Sequence, residues 1–229
     1  MSSIYDPQSQ RNPAWAGHPL GHVAGATIGA YGCFITVAAM ILTHYLGRPI
    51  DPVDVDDAMD ALGLYIQGDL WPDGALPTLY GHFGGQGAMV EEGPWDFVGK
   101  PADLSTLAMD DTQERLIVID FDHNPADGIQ THALRAFSGS PIVVDDPWYG
   151  TRDPFTLHYG ANPALTIQKV VGYKVPGFVP FWKRPVPPPA PPPPVVVPVP
   201  PAYATAVDLE ALRARVVELE TFRKKVQTA

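Results

Sequence analysis

Read for apolar and polar positions alone, the chain has a helical front and a strand-rich middle. Cys33 to Leu46 is apolar almost all round. Its length suits a buried helix, and Gly47 is placed to end it. Asp51 to Leu62 has helical spacing, with Val53, Val55, Met59 and Leu62 set against Asp54, Asp56, Asp57 and Asp60. Pro52 fits its first turn. From Gly63 to Pro101 the density of Gly, Trp and Pro predicts loops and short pieces. Four strand candidates follow: Leu116–Asp120, Ile129–Phe137, Pro141–Asp145 and Ile167–Val175. Ser138-Gly139-Ser140 is the turn between the second and third. The unbroken apolar run of the first suits a central strand. Helices first and an antiparallel meander after them make the fold class α+β.

Beyond residue 175 the pattern changes. Of 27 prolines in the chain, 13 lie between Pro176 and Pro201. The run from Pro187 to Pro194 predicts polyproline II, extended at about 3.1 Å per residue. Residues 205–227 carry Leu209, Leu212, Val216, Leu219 and Val226 at 3-4 spacing, with Arg223 interrupting the heptad. That predicts an amphipathic helix that self-associates as a short coiled coil or docks on another surface. The expected organisation is a domain over 1–175, a linker over 176–203 and a terminal helix over 204–229.

Charge separates the same two halves. Residues 1–180 hold 8 Lys/Arg and 21 Asp/Glu, a net of -13; residues 181–229 net +3. The overall charge of -10 argues against a nucleic-acid backbone as partner. No apolar stretch is long enough to span a bilayer. The N-terminus lacks a basic segment followed by an apolar one, so no secretory signal is expected.

One cysteine, Cys33, excludes an intrachain disulfide and an all-cysteine metal site. It follows the turn-permissive Tyr31-Gly32 and opens the apolar helix, where the first-turn amides and the helix dipole favour a thiolate. A nucleophilic thiol needs a base. Among seven histidines, His132 stands out because it begins a strand. In a hairpin centred on Ser138-Gly139-Ser140, His132 and Asp146 share the open end. A carboxylate there can fix the imidazole tautomer and turn the ring toward a thiolate. Cys, His and Asp thus form a plausible nucleophile, base and orienting acid.

Three segments resemble the papain-like cysteine peptidases related to the bacteriocin-leader (double-glycine) peptidases, and with the proline-rich spacer and terminal helix the whole looks like a bacteriophage-encoded member. They are Ser9-Gln-Arg-Asn-Pro-Ala-Trp15 with Leu20-Gly21, Thr27-Ile-Gly-Ala-Tyr-Gly-Cys33 running on to Met40, and His132 with Asp145-Asp-Pro-Trp-Tyr-Gly150. The resemblance covers about residues 5–150. It implies a papain-like fold with N-terminal helices packed on an antiparallel sheet. It implies Cys33 as nucleophile, His132 as base and then acid, and Asp146 rather than Asp145 as the orienting residue. Gln10 would donate its side-chain amide to the oxyanion, with the Cys33 N–H as second donor. Ala133, Arg135 and Val37 depart from the family pattern without removing a catalytic atom.

Trp148 and Tyr31 are the candidate substrate contacts, and Trp71 and Trp95 are further candidates for a cleft wall. Asp120, Asp122 and Asp127 are weak metal candidates, because Pro125 stands where a calcium loop needs glycine. His18 and His22 are four apart, but Pro19 and Gly21 break the helix a metal pair would need. The glycine-rich Tyr80–Gly87 lacks the lysine of a phosphate loop. No cofactor is expected. The resulting expectation is a cysteine endopeptidase cutting cell-wall peptides as a phage lytic or virion-associated enzyme, held in the virion or in the host cytoplasm until lysis. Its partners would be peptidoglycan peptides and, through the terminal helix, itself or a virion protein. The alternatives are a structural or adhesive virion component that keeps the fold without turnover, and an acyl transferase using the same triad.

Overall fold

The computed structural model describes residues 6–66, 72, 74–96, 115–121, 132–139, 141–159 and 167–179. The chain divides into two compact units, Met1–Arg184 and Pro185–Ala229. All described residues belong to the first unit. The proline-rich run and the expected terminal helix lie outside them, as do Trp71, Asp122 and Asp127.

Four helices come first: α1 (Ile28–Tyr31), α2 (Cys33–Leu46), α3 (Pro52–Ala61) and α4 (Ala75–His82). The apolar segment beginning at Cys33 is α2, and its side chains are buried from Ile35 through Tyr45. Gly47 ends it in the left-handed conformation, its N–H returning to the Thr43 carbonyl. Asp51 caps α3 in a capping box with Asp54. Helix α4 falls where loops are expected. Its Pro77 and Gly81 hide the pattern, yet Pro77 lies in the first turn, where a missing amide costs no helical bond. Leu76, Leu79 and Tyr80 are its buried face.

Six strands follow: β1 (Val90–Asp96), β2 (Arg115–Phe121), β3 (His132–Gly139), β4 (Ile142–Asp146), β5 (Thr151–Pro154) and β6 (Ile167–Lys174), with the short helix α5 (Phe155–Tyr159) after β5. They form one antiparallel sheet in the order β1-β6-β2-β3-β4-β5. The fold is α+β. The meander holds from β2 to β5, but β6 is not its continuation: it crosses back to pair with both β2 and β1. Strand β1 contains Gly93-Pro94, which reads as a break. An edge position and a register shift between Glu92 and Trp95 accommodate it.

The sheet is covered on both faces, which is why β2 reads as a continuous apolar run. Val118, Ala133, Val171 and Tyr173 pack with α2, α3 and α4. Ile119, Leu134, Ala136, Val144 and Val170 pack on the other side with Phe155 of α5. The packed part runs past residue 175 to Phe178, which is buried with its ring 4.8 Å from that of Tyr45. Among the described residues no helix is long and apolar enough to cross a membrane.

Candidate active site

Cys33 is the first residue of α2, and the route into it demands glycine. A Cβ on Gly32 would lie 2.6 Å from the Ile28 carbonyl oxygen, so only glycine lets α1 pass directly into α2. The thiol is half-buried, its Sγ 4.0 Å from the Tyr31 carbonyl oxygen. The first-turn amides of α2 have no acceptor one turn earlier within that helix.

Gln10 enters the same region from the N-terminal loop. Its backbone N–H donates to the Pro147 carbonyl at 2.7 Å. Its Nε2 donates to the Gly29 carbonyl at 3.2 Å, just ahead of Cys33. The side chain is buried, and its Oε1 accepts no hydrogen bond among the described residues. An amide nitrogen has two hydrogens, so Nε2 keeps one to donate elsewhere.

His132 opens β3, paired with Phe121 of β2. Its Nε2 lies 3.0 Å from Asp146 Oδ1 at the end of β4, and the Cys33 thiol is the other side chain whose interaction favours the charged ring. A directly opposed His132–Asp146 pair is what a hairpin centred on Gly139 would give. Instead Gly139 pairs with Ile142, and a register shift between Ala136 and Ser138 moves Asp145 opposite Arg135. Asp146 then falls opposite Leu134, and the His132 ring reaches it on the diagonal, a span open to long side chains.

Asp146 is fully buried. Its Oδ1 also accepts the Trp148 backbone N–H at 2.8 Å, and its Oδ2 accepts the Tyr159 hydroxyl. Burial alone would neutralise these groups. For His132, burial works against the charge, but hydrogen bonds to Asp146 and Cys33 outweigh it and raise the pKa to about 9. For Asp146, burial again opposes the charge, while hydrogen bonds from His132 and Tyr159 hold the carboxyl below the usual carboxylate range. Burial and the bond to Asp146 push Tyr159 upward, so it remains a neutral donor.

Asp145 faces the other way, as adjacent strand residues must. Arg135 Nε donates to its Oδ2 at 2.7 Å and Arg152 Nε to its Oδ1 at 2.6 Å. This explains Arg135, a cation at a strand position that reads as apolar: it is buried because its carboxylate is buried with it. Trp148 is partly exposed on the loop after β4, with the Arg11 guanidinium 4.7 Å above its ring. Tyr31 is exposed, two residues before Cys33. The side chains of Trp95 and Asp120 lie outside the described residues.

The other histidines go elsewhere. His44 is buried in α2, its pKa lowered to about 3 by burial and by the nearby Arg135 charge. His18 Nε2 lies 3.2 Å from Asp56 and 3.7 Å from Asp57, and His22 lies 3.3 Å from Asp60. These pairs tie the N-terminal loop to α3. Among the described residues, His18, Asp56 and Asp57 are the set placed to share a cation. Asp56 already accepts from Gly21 N–H at 3.1 Å and from the Tyr65 hydroxyl. Nothing in the local sequence marks Arg152. The only signal for Tyr159 is its spacing of four from the buried Phe155, in a segment too short to read as a helix. Comparison of the chain with protein-family models, curated proteins and solved structures returns no match.

Proposed function

We propose that the chain is a cysteine peptidase of papain-like fold, with Cys33 as nucleophile, His132 as base and acid, Asp146 as the orienting carboxylate and Gln10 as oxyanion donor. The observation that carries this reading is the His132–Asp146 hydrogen bond between β3 and β4, with Asp146 buried and His132 favouring its charged form through both Asp146 and the Cys33 thiol of α2. A neighbouring imidazolium favours the thiolate form of a cysteine.

The steps follow from the placement. The Cys33 thiolate attacks the scissile carbonyl. The oxyanion is met by the free hydrogen of Gln10 Nε2 and by the Cys33 N–H at the start of α2. The His132 imidazolium protonates the leaving amine, breaking the C–N bond and leaving a thioester. The neutral ring then takes a proton from water, which displaces Cys33 as the acyl group leaves as a carboxylic acid. Asp146 holds the ring through both transfers without taking the proton.

Helices that lead and pack on one face of an antiparallel sheet, with the cysteine at a helix start and the other two groups on adjacent strands, support the papain-like assignment. The substrates we assign are peptides of the bacterial cell wall, cut by a phage lytic or virion-associated enzyme. The combination of a peptidase-like domain with a proline-rich segment and a C-terminal heptad-like pattern supports that assignment. The test is incubation of the full chain with purified muropeptides and cross-bridge peptides, read by mass spectrometry. Products that together gain one water, absent with Cys33→Ala, are expected. No cleavage of any panel member by a wild-type protein with a reactive thiol would overturn the substrate assignment. Amide exchange with added amines in place of hydrolysis would make it an acyl transferase.

A further inference from the structure

We infer that Tyr159 is a positioning residue of this site, a fourth member that holds Asp146 in place through the carboxylate oxygen His132 does not take. The inference rests on the peptidase reading above. The torsion that turns a carboxylate is broad and roughly two-fold, so a hydrogen bond to one oxygen leaves the plane poorly fixed. Here Oδ1 takes His132 Nε2 at 3.0 Å and the Trp148 N–H at 2.8 Å, and Oδ2 takes the Tyr159 hydroxyl. Three donors on both oxygens define the plane and satisfy a fully buried charge.

Tyr159 is itself fixed. It ends α5, whose Phe155 is fully buried in the second core and lies ring to ring with Tyr159 at 5.3 Å. The turn from β4 into β5 is closed by the Gly150 N–H on the Asp146 carbonyl at 2.7 Å. The Tyr159 ring centroid is 6.1 Å from that of His132. The titratable groups around the pair are Cys33 from α2, His132 from β3, Tyr149 from the turn after β4, Asp153 from β5 and His158 from α5. Of these described groups, His132 is the one whose side chain bonds the Asp146 carboxylate, beside Tyr159 itself. A neutral hydroxyl is the donor whose loss removes no charge, so its effect appears as a shift in Asp146 rather than as a missing ion.

The sign is fixed by chemistry. Removing a donor to a carboxylate favours its protonated form, and a protonated Asp146 no longer supports the imidazolium. The test is iodoacetamide alkylation of Cys33 in the full chain from acid to alkaline pH, for wild type and Tyr159→Phe. The expected result is an acid limb moved upward by roughly one pH unit, so that labelling below the limb is slowed about tenfold. An unmoved acid limb with only a lower melting temperature overturns the inference and leaves the peptidase reading standing. An ordinary thiol profile in the wild type overturns both. If Tyr159→Phe does not fold, the wild type still decides: proton NMR should show a slowly exchanging, downfield Tyr159 hydroxyl that collapses as Asp146 is protonated, and its absence at neutral pH contradicts the inference.

Discussion

Asp145 and Asp146 are consecutive on β4 and serve opposite faces of the sheet: Asp145 neutralises Arg135 and Arg152, and Asp146 holds His132 and Tyr159. Neighbouring carboxylates thus have separate tasks, and substitution separates them. Asp146→Asn should leave a folded protein whose peptidase rate falls on the order of a hundredfold or more, because an amide donates where His132 needs an acceptor. Asp145→Asn should lower unfolding free energy by about 3–5 kcal/mol, since buried Arg135 loses its counter-charge. Urea denaturation and rate per folded molecule, measured on both variants, distinguish these outcomes.

Gln10 should matter for hydrolysis and not for alkylation. Acyl transfer builds charge on an oxygen, and removing one oxyanion donor costs about 100- to 1,000-fold in rate. Alkylation by iodoacetamide builds no such charge. Gln10→Ala is therefore expected to depress kcat strongly while Cys33 labelling stays within a few-fold of wild type. Equal losses in both assays would place Gln10 in packing only.

Stability should respond to pH through His132. Its folded pKa of about 9 is raised above the unfolded value of 6.5. The stabilisation is fully present below the unfolded pKa and is lost as pH rises through the folded one. Relative to His132→Gln, the wild type should lose up to about 3 kcal/mol between pH 6.5 and 9, an upper bound from the shift. Urea midpoints across that range check it.

Two glycines should behave oppositely. Gly32→Ala places a Cβ against Ile28 backbone and should destabilise by about 1–3 kcal/mol while displacing Cys33. Gly81 lies inside α4 with open space around it, so Gly81→Ala should stabilise by about 0.5–1 kcal/mol. Melting temperatures of the two variants, with Cys33 labelling rates, test both.

Much of this was legible in the residues, and the misses have physical causes. Helix α2 declared itself because fourteen residues run almost wholly apolar and a glycine follows. The central strands declared themselves because both their faces are covered. Helix α4 and strand β1 hid behind Pro77 and Gly93-Pro94, which first-turn and edge positions tolerate. The place of β6 beside β2 was invisible, since strand order depends on long-range pairing that no local pattern encodes. At the site, Cys33, His132 and Asp146 could be named from spacing and motif. Arg135 looked anomalous until Asp145 lay opposite it. Tyr159 could not be named, because its task is set by a hydrogen bond across thirteen residues.

The central claim is that Cys33 and His132 form an activated pair. The most direct measurement is the pH dependence of iodoacetamide alkylation at Cys33, read by mass spectrometry for wild type and His132→Ala. The expected result is rapid labelling well below pH 8 in the wild type, below the range of an ordinary thiol, abolished in the variant. Slow labelling that rises only with ordinary thiol ionisation, unchanged by the substitution, would contradict the account and leave a fold without its chemistry.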